Sequence, residues 1–205
     1  MSEKTHPVTQ KKLILASKSP RRREILANLG IDFSVVTAET DESSTQRDPR
    51  QLVEELSQRK AQAVYERLAA EGRLDANTVV LASDTVVAVD GQILGKPRDR
   101  DDARRMLSLL FGRRHEVISG IALIGQDAGG VAYEVTEVAF DTPDEDALER
   151  YLSTPEPYDK AGAYAIQGTA SLWISGIRGC YFNVVGLPVY RLTRLYESLF
   201  GEKIV

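Results

Sequence analysis

Charged side chains stand in this sequence at the spacings that phosphate chemistry would need. Ser17-Lys18-Ser19-Pro20-Arg21-Arg22-Arg23 follows the apolar run Leu13–Ala16, so hydroxyls and three guanidinium groups collect where a strand turns into a helix. Free N–H groups at a helix start carry partial positive charge and favour acids, so arginines there cost local stability. Either an anion sits on that helix end, with the Ser17 and Ser19 hydroxyls as further donors, or the turn is a solvated basic one. Glu39, Asp41 and Glu42 gather in the loop after the next strand, as a hard divalent cation requires or as a solvated acidic loop. Lys60 falls in the row Leu52, Leu56, Lys60, Val64 and Leu68, spaced four apart on one helix face. Its ammonium either snorkels to the rim or points into a cleft at an anion.

A fourth group depends on a turn. Asp90-Gly91 between Val89 and Gln92 is a two-residue hairpin signal. Pairing 89 with 92 sets Thr85 opposite Lys96 and makes Asp84 and Lys96 near neighbours. They would form a plain ion pair, or a metal ligand beside a phosphate-binding lysine.

The elements that must position these groups follow from periodicity and punctuation. A strand at residues 13–16 leads into a helix with Ser19 as N-cap, Pro20 as first residue, Ile25, Leu26 and Leu29 as apolar face, and Gly30 at its end. A strand is predicted at Phe33–Val36, then a long helix from Asp48-Pro49 to about Gly72. Thr78–Ala82 and Val86–Val89 read as two strands interrupted by Ser83-Asp84-Thr85. Asp99 caps a helix with face Ala103, Met106, Leu107 and Leu110, closed by Gly112. Strands follow at about 115–124 and 133–140, and Thr142-Pro143-Asp144-Glu145 reads as a capping box. Residues 155–168 form a loop too long for a minimal connection, the length at which loops are often functional. Leu172–Ile174 and Tyr181–Val185 read as a hairpin, and the last helix begins near Pro188 with Leu192, Leu195 and Leu199 inward.

Composition narrows the chemistry. With 205 residues, 42% of them hydrophobic, the chain can bury a substantial core, and no run approaches a membrane span. The reading is a cytoplasmic protein with a disordered tail over residues 1–11, followed by one two-lobed domain at 12–205. The single cysteine, Cys180, excludes internal disulfides and reads as packing. Two histidines, His6 and His115, exclude a multi-histidine metal site, and His115 is expected to satisfy backbone or a carboxylate at a strand start. A net charge of −4 argues against a general nucleic-acid-binding surface. There is no G-x-x-x-x-G-K-[ST], no G-x-G-x-x-G after a strand and no H-E-x-x-H.

Ser17-Lys18-Ser19-Pro20-Arg21-Arg22 matches the S-x-S-P-R-R signature of the Maf family of nucleoside triphosphate pyrophosphatases. The resemblance continues through Ala82-Ser83-Asp84-Thr85, Gly95-Lys96-Pro97, Asp159-Lys160-Ala161-Gly162-Ala163-Tyr164, Ile166-Gln167-Gly168 and Tyr181–Pro188, from about Lys12 to Phe200. Phe111 before Gly112 departs from the small polar residue more usual there. The resemblance implies an α/β fold like that of inosine triphosphate pyrophosphatase, a mixed central sheet with flanking helices in two lobes around a cleft. It implies hydrolysis of dTTP and UTP, rather than 7-methyl-GTP, to monophosphate and pyrophosphate with a divalent metal, Mg or Mn. Residue by residue, it makes Asp84 the proton acceptor and, with Glu42, a metal ligand. Lys60 and Lys96 bind phosphate, and Arg21, Thr85 and Gln167 select the substrate. Ser17, Ser19 and Arg22 join the phosphate site. The only partner expected beyond the nucleotide is a second copy of the chain. A regulatory protein that binds nucleotide without turnover is the rival reading.

Overall fold

Strand β3 (Thr78–Val89) runs through the middle of the molecule, with all its residues buried except half-buried Thr85. The structure, a computed structural model, describes residues 11–205; the tail expected over residues 1–11 thus lies outside the described residues, Lys11 excepted, whose ammonium donates to Ala76 O. β1 (Lys12–Leu15) leads through α1 (Pro20–Asn28) to β2 (Phe33–Val35), and α2 (Pro49–Ala70) returns the chain to β3. β4 (Gln92–Leu94), α3 (Arg100–Leu110), β5 (Arg114–Ile124), β6 (Gly129–Phe140) and α4 (Glu145–Leu152) follow. After three short 3-10 turns come β7 (Ile174–Arg178), α5 (Tyr181–Val185) and α6 (Val189–Phe200). The sheet order is β2-β1-β3-β5-β6-β7, with β4 paired to β3. β1 is parallel to β2 and β3; the other pairs are antiparallel, so the sheet is mixed.

The side chains of β3 alternate between two faces, and each face changes character midway. On one face Val80 and Ala82 pack with α2 residues Ala61, Val64 and Leu68, while Val86 and Ala88 pack near Val53; Asp84 lies between. On the other, Val79 and Leu81 join the core of α1 and α6, while Val87 and Val89 join that of α3 and α4. Ser83 and Thr85 lie between those two cores. Strand β5 repeats the pattern, with Ser119 between Val117 and Ile121, and Gly120 between Ile118 and Ala122. The lobes therefore share their long strands and meet at a polar seam.

Several sequence expectations are corrected here. Ser83-Asp84-Thr85 does not break a strand: β3 is continuous, because β5 pairs with it throughout, Asp84 opposite Gly120 and Thr85 opposite Ser119. Tyr181–Val185 is a short helix rather than a hairpin strand, burying Asn183 and Val185, while Ile174–Arg178 pairs with β6 instead. The cap of α4 is Asp144, whose carboxylate accepts from Ala147 N at 2.7 Å, rather than Thr142. Ser19 holds the N-cap position of α1 without a side-chain bond, and Leu29 is exposed rather than inward. The caps Asp48 and Asp99 are borne out. So is the 89-to-92 hairpin register, with Asp90 and Gly91 at φ 49° and 75° as a primed turn requires. No helix among the described residues is long and apolar enough to cross a membrane.

The His115 ring bonds neither backbone nor carboxylate among the described residues. It is buried, its Nε2 2.7 Å from the Tyr164 hydroxyl, with the Phe140 ring against it. Burial holds its pKa down from 6.5 to about 4. The unfolded chain therefore takes up a proton near pH 6.5 that the folded chain refuses until about pH 4, and stability falls as pH drops through that window. Between pH 7 and 5 this group alone should remove about 2 kcal/mol. Urea unfolding of the wild type and His115→Phe at both pH values checks it: the variant should lose less stability on acidification, by that amount.

Candidate active site

The site lies at a gap in the pairing of β3. Its edge is covered by β1 as far as Leu81 and by β4 from Val87 onward, leaving the stretch around Ser83, Asp84 and Thr85 without a strand partner on that side. A cleft of about 750 Å³ opens there, lined by Ser17, Ser19, Arg21, Arg22, Glu42, Lys60, Asp84, Thr85, Lys96 and Gln167; of the other residues weighed from the sequence, Glu39 lines it and Arg23 and Asp41 do not.

Arg22 closes the gap. Its Nε donates to Gly186 O at 2.8 Å, Nη1 to Ser83 O at 2.6 Å and Ser17 Oγ at 3.3 Å, and Nη2 to Thr85 Oγ1 at 3.2 Å. Ser83 Oγ also donates to Gly186 O, at 3.0 Å. Those bonds engage four of the five N–H groups of a guanidinium, leaving one on Nη2 for a ligand. Burial lowers the pKa of Arg22, a shift that the nearby Asp84 opposes. Of the three arginines, Arg22 is thus largely a structural clamp; Arg21 is half-buried on the cleft wall and Arg23 is exposed.

On the opposite face of β3, Lys60 reaches in from α2. Its Nζ is 2.5 Å from Asp84 Oδ1 and 2.9 Å from Glu42 Oε1, with its side chain 19% exposed. The ammonium is therefore turned into the cleft rather than out to the rim. Among the acids of the 39–42 loop, Glu42 is the one that reaches it. Glu39 is exposed and pairs with Lys18, while Asp41 accepts from the Ser43 amide and hydroxyl. The Lys60 hydrogen bond holds the Glu42 pKa below the usual carboxylate range, with Lys96 and Arg22 adding to the effect. Lys96 is itself exposed. The hairpin ladder stops at Val87 and Leu94, and Gly95 O accepts from Gly162 N at 3.0 Å, so Lys96 leaves the ladder and the cation paired with Asp84 is Lys60.

Gln167, exposed at the cleft mouth, is held by tethers that sequence reasoning missed. Upstream of it, the Tyr151 hydroxyl donates to Ala163 O, where Ala163 takes φ 62°, and Tyr164 meets His115. Downstream, Glu156 accepts from Thr169 N at 2.9 Å. A non-glycine residue in the left-handed region persists where its surroundings over-determine it. Gly120 was missed as well. A Cβ there would lie 2.3 Å from Val53 O, so the absence of a side chain lets α2 sit on the sheet close enough for Lys60 to reach Asp84.

A family model described as Maf-like protein matches residues 12–199. The chain belongs to the Maf family. It is 46% identical over 196 residues to the dTTP/UTP pyrophosphatase of Desulforamulus reducens, covering 94% of this chain and 98% of that one. To the dTTP/UTP pyrophosphatase of Symbiobacterium thermophilum it is 47% identical over 193 residues, covering 94% and 95%. Among solved structures, the Ham1 protein of Staphylococcus aureus superposes with a TM-score of 0.50 over 92% of this chain and 99% of that one. At 15% identity that likeness concerns the fold alone, and it bears out the mixed α/β architecture expected of a Maf chain.

Gly120→Ala should displace α2 and with it Lys60. We expect a loss of about 1–3 kcal/mol from overpacking and a fall in kcat/KM of tenfold or more. Gly176→Ala, where a Cβ would meet nothing within 4 Å, should leave both nearly unchanged. Urea midpoints and steady-state kinetics on the two variants check this.

Proposed function

We propose that this protein hydrolyses nucleoside triphosphates, dTTP and UTP preferred, to the monophosphate and pyrophosphate. The observation that carries the reading is the convergence of Asp84, Glu42 and Lys60 on one point of a cleft that Arg21 and Lys96 also line. The names of the relatives supply the nucleotides. A site of cations alone would suit a nucleotide sensor, whereas two carboxylates beside them give water an acceptor for its proton.

Asp84 is the base. Its Oδ1 is engaged by Lys60, while Oδ2 has no protein partner among the described residues and is available to take a proton from water. Water attack breaks the anhydride bond between the α- and β-phosphates, and the electron pair leaves with pyrophosphate. Lys60, Lys96, Arg21 and the remaining N–H of Arg22 hold the phosphates and stabilise the charge that gathers on the leaving oxygens. The Ser17 and Ser19 side chains also line the cleft, Ser17 beside Arg22, as further donors.

The donors also fit a divalent cation. Asp84 and Glu42 lie within reach of a single ammonium, and Mg²⁺ or Mn²⁺ binds through one or two carboxylates completed by substrate phosphates. Among the described residues no group of three His, Cys, Asp or Glu side chains could hold a metal without the substrate. When bound, such a cation would neutralise phosphate charge and draw the triphosphate towards Asp84. Gln167, Thr85 and Arg21 also line the cleft, and we assign substrate selection to them, Arg21 in addition to its part in holding the phosphates.

Asp84→Asn should keep the fold and lower kcat by about 10²-fold or more; near-normal turnover would overturn its role. A second measurement follows pyrophosphate and orthophosphate release from dTTP, UTP, CTP, 7-methyl-GTP and dITP, with Mg²⁺ or with chelator. Pyrophosphate from dTTP and UTP, lost on chelation, is the expected outcome. Binding without turnover by any of them would favour the sensor.

A further inference from the structure

The seam contains a chain of hydroxyl groups whose hydrogen-bond direction is forced. Ser119 is fully buried on β5, directly across from Thr85. Its Oγ lies 2.9 Å from Asn183 O, an acceptor only, so the single Ser119 hydroxyl proton is committed to that carbonyl. Ser119 Oγ also lies 2.8 Å from Thr85 Oγ1. With its own proton spent, Ser119 can only accept there, and Thr85 must donate. On its other side Thr85 Oγ1 receives an N–H from Arg22, which cannot accept. The order runs from Arg22 to Thr85 to Ser119 to Asn183 O, each group donating to the next.

The carbonyl that ends the chain is itself fixed. The Asn183 side chain donates to Val117 O at 2.9 Å and Thr136 Oγ1 at 3.0 Å, and Thr136 Oγ1 donates to Cys180 O at 3.0 Å. α5 is thereby pinned under the site, and Asn183 O cannot turn away. The Thr85 oxygen has one proton and two lone pairs. Ser119 takes the proton and Arg22 occupies one lone pair, so a single lone pair remains for the cleft.

We propose that Ser119 is a positioning residue that makes Thr85 an obligate hydrogen-bond acceptor towards the substrate, so that the nucleotide group Thr85 meets must be a donor. This rests on the assignment of Thr85 to substrate selection. dTTP and UTP share two such donors: the N3–H that uracil and thymine carry and cytosine lacks, and the 3′-hydroxyl of the sugar. Against a nucleotide without the donor, the Thr85 lone pair is left without a partner, and a site built around one hydrogen bond rejects such an analogue.

The test compares kcat/KM ratios within each protein, so that a loss of folded enzyme cancels. The substrates are UTP against CTP, for the base donor, and dTTP against its 2′,3′-dideoxy analogue, for the sugar donor. Thr85→Val removes the acceptor and should lower one of the two ratios by tenfold or more; the ratio that falls names the donor. Ser119→Ala frees the Thr85 proton to turn into the cleft and should lower the same ratio, by three- to tenfold. Ser119→Thr retains a hydroxyl and should restore the wild-type ratio. If Thr85→Val moves a ratio and Ser119→Ala leaves it at the wild-type value, the forced direction is wrong while Thr85 remains a selector. If Thr85→Val slows all four substrates equally, Thr85 does not read the nucleoside, and the inference falls with that assignment.

Discussion

A strand that crosses two apolar cores must do something with its middle. In β3 the ladder to β1 ends before the ladder to β4 begins, so a short length of backbone lies inside the molecule with one edge unpaired. Unpaired polar groups away from water are expensive, and the chain answers with the Arg22 guanidinium, which takes the Ser83 carbonyl and ties it to Ser17, Thr85 and Gly186. Around that solution the chemistry is arranged. The alternation of the strand sends Asp84 to the α2 side and Ser83 and Thr85 to the α5 side, so one tripeptide reaches both walls of the cleft.

The two walls differ in kind. The α2 wall carries charge: an ammonium shared by two carboxylates, set by how closely α2 approaches the sheet over Gly120. The α5 wall carries hydroxyls and backbone carbonyls in a directed chain that runs from half-buried Thr85 at the cleft to fully buried Ser119 and Asn183. On the roles proposed above, the proton acceptor stands on the first wall and Thr85 on the second, while phosphate donors come from both, Lys60 from one and Arg22 from the other. The thickness of one strand separates Asp84 from Thr85, so neighbours in sequence face different parts of the cleft.

Local signals were legible in the sequence where the physics is local. The caps at Asp48 and Asp99, the Asp90-Gly91 turn and its register, and the four-residue spacing that marked Lys60 all depend on neighbours a few positions away. The continuity of β3 was not legible, because three polar residues resemble a loop until β5 supplies their partners. The pairing of Asp84 with Lys60 rather than Lys96 depends on where a ladder ends, and that depends on a contact between Gly95 and Gly162, far apart in the chain. Tyr181–Val185 is too short for periodicity to separate helix from strand. Ser119 and Gly120 carry no signal of their own; Ser119 matters through Thr85 directly across the sheet, and Gly120 through the α2 backbone at Val53 packed over it.

The long strands have a mechanical consequence. β3, β5 and β6 pass through both lobes without a break in their mutual pairing, so the lobes are joined by a stiff beam rather than a hinge. Opening the cleft by spreading the lobes would shear those ladders. Any movement that admits a triphosphate and releases pyrophosphate therefore falls to segments outside those ladders, such as the acidic loop bearing Glu42, since the turn bearing Gln167 is tethered on both sides.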